Sequence, residues 1–332
     1  MIRSGTIDNA KFLMIFLVVF GHLIEPIINN SGLIKTTYLS IYSFHMPVFI
    51  ILAGMLSKPE YSIERTRKTI ISILIPIISF TFLYEISNII IHGNFSSYSI
   101  GFQPYWILWF LFSLFLWKLF LPVILNFRFP ILISIAVALI AGYVDSVGYF
   151  LGISRTLYFF PFFLIGQQLT TKVLSNNLLL KIPKPIYCVV LILNVAVFWL
   201  LRDYSHQWLY GSFSYERLDV NGIYGSAIRL SMYAISIITS IAIIMLIPST
   251  KSKISELGGN SLYVYVWHGF FVKIFVGIGL ISFLGNLWAP ITLTIVFLGA
   301  LILTLLLSTK FVAKNTQKLI LNPVNSMLLN KS

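Results

Sequence analysis

Long, nearly uncharged apolar runs recur from one end of this chain to the other. A run of about eighteen or more such residues is long enough to cross the hydrocarbon core of a bilayer. Inside that core the backbone satisfies its own hydrogen bonds only as a helix or a closed barrel. Barrel strands would alternate apolar and polar residues, and runs such as 12–20 (FLMIFLVVF) and 131–141 (ILISIAVALIA) do not. The expected fold class is therefore all-α, a polytopic membrane protein of about ten transmembrane helices. The spans fall at 10–28, 39–57, 69–91, 105–124, 129–147, 156–173, 185–202, 226–247, 262–282 and 288–309. Composition agrees: 58% of the 332 residues are hydrophobic and only 10% are charged, against about 25% in a soluble domain. The first span has no small-residue cleavage site after it and is longer than the apolar part of a signal peptide, so it reads as retained. Loops are short, the longest being the polar and aromatic 203–225. The chain reads as a single integral-membrane domain over 1–332.

The basic residues orient the spans. One side of the alternation holds Arg3, Lys11, Lys58, Arg65, Arg67, Lys68, Lys118, Arg128, Lys172, Lys181, Lys184, Lys251, Lys253, Lys310, Lys314, Lys318 and Lys331. The other holds Lys35, Arg155, Arg202, Arg217 and Arg229, and Lys273 lies within a span. Lys and Arg concentrate in cytoplasmic loops, so both termini are expected in the cytoplasm of a bacterial cell, with the protein multi-pass in its cell membrane. The net charge of +13 then faces the anionic inner leaflet and implies membrane lipids as partners, with no nucleic acid. The single cysteine, Cys188, allows no intrachain disulfide, and no Cys/His spacing suggests a metal.

Ionisable groups within spans are costly and mark function by default. Asp8, Lys11, His22 and Glu25 share one stripe of the first helix. Lys11 and His22, eleven residues apart, fall about 20° apart around the axis and roughly 16 Å apart along it. Asp8 with Lys11, and His22 with Glu25, are i,i+3 neighbours. On the returning second helix His45 lies about six residues from the outer end, as does His22 on the first, so the two imidazoles are expected at similar depth. Pro47 can loosen that helix and free a carbonyl. Two histidines suit proton handling. The loop ERTRK (64–68) gives the densest cationic cluster, Arg65, Arg67 and Lys68, suited to phosphate or to lipid headgroups as a topology signal. Glu85, near the outer end of the third span, Trp109 and Arg155 are candidates for contact with substrate. Trp106 and Trp109 also suit an interfacial belt, and His268 lies in the inner half of the ninth span.

These segments carry a resemblance. DNAKFLMIFLVVFGHLIEP (8–26) and FHMPVFIILAG (44–54), followed by WILWFLFSLF (106–115), RTLYFFPFFLIG (155–166) and GNSLYVYVWHG (259–269), resemble the acyltransferase 3 family of membrane O-acetyltransferases, and within it the fucose 4-O-acetylase-like branch. The resemblance implies ten core helices, acetyl-CoA as donor and co-substrate, and a surface polysaccharide or its lipid-linked precursor as acceptor. Many members carry an Arg eleven residues before the functional His of the first helix; Lys11 and His22 occupy those positions. The family's Arg-x-x-Arg motif, linked to CoA, corresponds to Arg65-Thr66-Arg67-Lys68.

Chemistry and resemblance meet in one mechanism. Acetyl transfer to a sugar hydroxyl needs a base and a donor for the oxyanion. His22 is the expected base or transient acyl carrier, with Glu25 orienting it and His45 sharing the proton. Lys11, Arg65, Arg67 and Lys68 would hold the CoA phosphates at the cytoplasmic mouth. No metal or bound prosthetic group is required. Composition by itself favours a proton-coupled transporter or exporter of a glycan or lipid; the motif match reverses that balance in favour of the enzyme.

Overall fold

The structure, a computed structural model, describes residues 4–145, 150–169 and 178–329, and among these every regular element is helical. Helices α1 (Ser4–Ile24), α2 (Gly32–Tyr42), α3 (His45–Met55), α4 (Ile63–Thr69) and α5 (Ile75–His92) come first. They are followed by α6 (Ser97–Ile100), α7 (Trp109–Ile124), α8 (Pro130–Ala141), α9 (Ile153–Gln168), α10 (Leu178–Lys181), α11 (Lys184–Leu200) and α12 (Gly222–Leu246). The chain ends with α13 (Lys253–Gly259), α14 (Ser261–Gly277), α15 (Leu280–Gly285), α16 (Ala289–Leu307), α17 (Lys310–Thr316) and α18 (Asn322–Leu328).

Among the described residues six helical stretches are long and apolar enough to cross a bilayer: Gly5–Ile27, Gly32–Met55, Ile63–His92, Trp106–Ile124, Gly222–Leu246 and Ala289–Leu307. The spans expected at 129–147, 156–173, 185–202 and 262–282 coincide with the shorter helices α8, α9, α11 and α14. Glycine and proline trim them: Gly142 caps α8, Gly152 sits at the start of α9 with φ +64°, and Pro183 precedes α11. Arg3, Lys172 and Lys331, and residues 146–147 and 170–173 of two spans, lie outside the described residues.

Two helix starts differ from the sequence expectation, both because a serine caps them. Ser31 accepts the Leu33 N–H and begins the second hairpin arm at Gly32 rather than at 39. His45 therefore lies more than a helical turn deeper than six residues from that end. Ser62 accepts the Arg65 N–H, so ERTRK is the opening of a helix and not a loop. That helix continues through a π-turn (Ile70–Leu74) into α5, just ahead of Pro76, whose missing N–H favours the wider turn.

The second arm is itself broken between Tyr42 and His45. Pro47 has no N–H to give to Ser43, so the chain turns at Ser43–Phe44 and restarts as α3. Asn194 of α11 braces the break, donating to Ser43 Oγ at 2.9 Å and to Thr239 Oγ1 of α12 at 3.3 Å. α3 crosses α9 backbone to backbone: a Cβ on Gly166 would lie 2.0 Å from the Ile51 carbonyl oxygen, and one on Gly54 2.1 Å from that of Phe163. Small residues permit this close approach where lipid supplies no hydrophobic drive. α9 is tied to α7 by Ser113–Thr156 (2.7 Å) and by Trp117 Nε1 on the Thr156 carbonyl (2.9 Å). α1 lies at the centre, with Met14, Ile15, Val19 and Ile24 fully enclosed, so its polar stripe faces protein.

Candidate active site

The stripe on α1 builds a dyad. His22 and Glu25 are one turn apart, and Pro26 tightens the helix end into a 3-10 turn that begins at Glu25. His22 Nδ1 meets Glu25 Oε2 at 2.9 Å. With Nδ1–H given to the carboxylate, Nε2 is the lone-pair nitrogen. Tyr210 donates to Glu25 Oε1 at 2.7 Å, and Tyr38 O–H reaches the Tyr210 oxygen at 2.6 Å. A chain of donors thus runs from Tyr38 through Tyr210 to the carboxylate that His22 also uses. Charge-assisted hydrogen bonds of this kind offset the cost of holding a carboxylate inside a bundle.

A cavity of about 70 Å³ surrounds the dyad, and His22, Glu25, His45, Trp109 and Arg155 all line it. His45 comes from the start of α3. Its Nδ1 donates to the Ile41 carbonyl (2.8 Å), which also takes the Phe44 N–H at the break before Pro47 (3.1 Å), so its Nε2 is the acceptor nitrogen. Tyr42 stands between the histidines, 4.5 Å from the His45 ring and 6.3 Å from the His22 ring, centroid to centroid. The Arg155 guanidinium lies over the faces of Trp109 (5.3 Å) and Tyr210 (5.8 Å), which places a fixed cation beside the dyad. Trp106 meets the His22 ring edge-on at 5.0 Å.

His268 corrects the sequence reading. Placed there in the inner half of its span, it is level with His22 and stacks on it, ring centroids 5.5 Å apart. The cause is α13: its Gly258 packs so closely on α1 that a Cβ would meet the Asp8 carbonyl oxygen. α14, which follows α13 directly, therefore starts well inside the bundle.

Tyr210 comes from the 203–225 loop, which the sequence reading placed outside and assigned no role. Trp208, Leu209 and Tyr215 are buried. Arg229 of α12 donates to the carbonyls of Ala138 and Phe213, each at 2.9 Å. Asp145 accepts from Ser214 at 2.8 Å and pairs with Arg217 at 2.5 Å. Hydrogen bonds from Arg217 and then Ser214 hold the Asp145 carboxyl below its ordinary range. Burial pushes His206 below the usual histidine value against a pull from Glu25, and the Lys35 charge adds a smaller push in the same direction as burial. Burial first, then Glu25, pushes the Tyr210 phenol well up, which keeps it a donor.

At the other end of the stripe Lys11 pairs with Asp8 at 3.3 Å. It opens on a second cavity of about 240 Å³ that also meets Lys118, Ser72, Ser261 and Tyr265. Tyr265 lines this cavity and the His22 cavity alike, so the two follow one another along α1. Arg65, Arg67 and Lys68 are not in its lining. Arg65 pairs with Glu60 at 2.5 Å, and Lys68 stands within electrostatic reach of Lys118. Glu85 is also away from the dyad cavity: it accepts Ser96 N–H (2.8 Å) and Oγ–H (2.6 Å), anchoring the turn before α6. Lys118, Tyr42, Tyr210 and Tyr265 were missed. The aromatic richness of 203–225 and a lone lysine inside an apolar run were the available signals.

Membrane-length apolar helices around a half-buried histidine–carboxylate dyad define a multi-pass membrane protein with an internal polar site. The chain belongs to the acyltransferase family whose description is "Acyltransferase domain", which matches residues 5–309. It is similar to the nodulation protein NolL of Sinorhizobium fredii (strain NBRC 101917 / NGR234), 29% identical over 182 residues that cover 49% of this chain and 48% of NolL. The chain thus matches about half the length of that relative. No solved structure matches it.

Proposed function

We propose that this protein is a membrane O-acetyltransferase of the fucose 4-O-acetylase-like kind, with ten spans and both termini in the cytoplasm. It takes acetyl from acetyl-CoA at the Lys11 end and passes it to a sugar hydroxyl of a surface glycan, or of its lipid-linked precursor, at the His22 end. The observation that carries this reading is the succession of spaces along α1. A lysine-lined cavity leads, past Tyr265, to a small chamber holding a histidine whose Nδ1 is fixed by a carboxylate. Lys11 and Lys118, with Lys68 within electrostatic reach of Lys118, suit the phosphates of CoA. The roughly 16 Å from Lys11 to His22 suits an extended thioester arm.

In the reaction His22 Nε2 takes the proton from the sugar hydroxyl as its oxygen attacks the thioester carbonyl. Glu25 holds Nδ1–H and stabilises the imidazolium. Arg155 supports the oxyanion, with His45 beside it in the chamber. Collapse breaks the carbon–sulfur bond, and the proton on His22 passes to the departing thiolate.

The test is purified protein in vesicles with labelled acetyl-CoA and a surface-glycan fraction. Label should pass to the glycan, and His22→Gln should lower the rate by about 10²–10⁴-fold with unchanged insertion. Near-normal transfer by His22→Gln would reduce His22 to a packing residue. Glycan flux without acetylation would establish an exporter instead.

A further inference from the structure

Beside the dyad, α5 and α14 form a fork. They are pinned together by Phe80 against Trp267 (5.3 Å), by Tyr84 stacked on Phe270 (4.0 Å, planes 6° apart) and by Tyr84 O–H on the Val266 carbonyl (3.0 Å). Beyond these pins the helices part. The gap is a groove of about 1070 Å³ whose far end is made by His22, Glu25 and Trp106. Its walls include Ile86, Ile90, Ile274 and Ile278. Ile90 is 77% and Ile278 69% exposed, so the groove opens sideways on the apolar surface of the bundle and not only at its end.

We propose that this groove receives the acceptor, and that the acceptor is an amphiphile: a sugar joined through a phosphate to a long apolar chain lying between α5 and α14. The proposal rests on the acyl-transfer reading and narrows its acceptor to the lipid-linked class. A free polysaccharide gains little from walls that are mostly apolar, because few of its hydroxyls would find partners among Ser87, Asn88 and His92. An apolar chain fits them.

One side chain separates such an acceptor from bulk lipid. Lys273 lines the groove among the apolar walls. It is held by the Tyr105 phenol at 2.5 Å and by the ring faces of Tyr105 (4.6 Å) and Tyr84 (5.7 Å), rather than by a carboxylate. Glu85, the acidic side chain of α5, spends its hydrogen bonds on Ser96 and acts on Lys273 only through space. A lysine in an apolar wall is expensive, and this one, hydrogen-bonded to a phenol and not ion-paired directly with a carboxylate, offers its ammonium to an anion in the groove. A phosphate between chain and sugar would meet Lys273 while the sugar lies toward His22.

The experiment uses the full-length protein in vesicles and two photoreactive probes with the same diazirine-bearing apolar chain. One is a polyprenyl phosphoglucose and the other a phosphatidylcholine. Labelling is read by mass spectrometry of the segments 86–92 and 272–278. The phosphoglucose probe should label them at least about fivefold more than phosphatidylcholine. Lys273→Gln should remove the excess and Lys273→Arg should keep it. Equal labelling by both probes, or an excess that survives Lys273→Gln, would make the groove an ordinary lipid contact and overturn the proposal. Labelling needs no turnover. Preferential labelling in vesicles that transfer no acetyl group would refute the acyl-transfer reading and leave the phospho-glycolipid site standing.

Discussion

His268 Nε2 is a fully enclosed acceptor with no hydrogen-bond partner among the described residues, on a ring stacked 5.5 Å from that of His22 with planes 27° apart. Its Nδ1 donates to the Val264 carbonyl at 3.1 Å, which fixes Nε2 as the lone-pair nitrogen. A buried unsatisfied acceptor costs about 1–3 kcal/mol, and natural proteins retain such costs where function needs the group. His268→Phe should therefore raise thermal stability in detergent by an amount in that range and lower acetyl transfer at least about tenfold. Higher stability with unchanged transfer would make His268 a packing ring.

Glu25 is predicted to act through charge. Glu25→Gln keeps the shape and one acceptor for His22 Nδ1–H but removes the charge that stabilises the imidazolium. The turnover rate should fall about a hundredfold, with little change in the apparent affinity for acetyl-CoA. A change confined to apparent affinity would turn Glu25 into a binding residue.

The proposed donor end distinguishes two sets of cations. Lys118 lines the inner cavity with Lys11, whereas Arg65 is engaged by Glu60. Lys118→Gln should weaken CoA binding about tenfold, and Arg65→Gln by less than about twofold, as for an exposed ion pair. Calorimetric titration with CoA measures both. The opposite order would return the donor site to the ERTRK segment.

Two groups make the 203–225 loop pH-sensitive, each in its own range. His206 has its folded value lowered, so the released loop binds a proton more readily. Stability present at neutral pH is lost as pH falls below the free-histidine value of about 6.5. Asp145 also has its value lowered; its contribution persists above the free-carboxyl value of about 4 and disappears as pH falls through the folded one. Limited proteolysis of the loop should therefore quicken in two steps on acidification. His206→Phe should remove the upper step. Asp145→Asn should quicken cleavage already at neutral pH and remove the lower one. Because Tyr210 reaches Glu25 from this loop, acetyl transfer should fall with the upper step.

Local periodicity carries information within a helix and little between helices. The His22–Glu25 pair was legible because both residues lie on α1 one turn apart, where spacing fixes geometry. The place of His45 beside a loosened helix was legible through Pro47, whose missing N–H acts on its own segment. The start of the second arm was misjudged because Ser31, a polar cap, precedes the apolar run that marked the span. Nothing in the spacing of Arg65 announces its ion pair with Glu60.

The sequence by itself determined an all-helical membrane protein, the polar stripe of α1 and the dyad upon it, since burial in lipid and a repeat of 3.6 residues per turn leave few alternatives. Only the tertiary structure decided what stands around the dyad. Tyr210 meets Glu25 across 185 positions of chain, His268 reaches His22 because Gly258 lets α13 seat on α1, and the groove exists because α5 and α14 part above Tyr84 and Phe270. These relations depend on how helices cross, which small residues, prolines and side-chain volumes distant in sequence settle together.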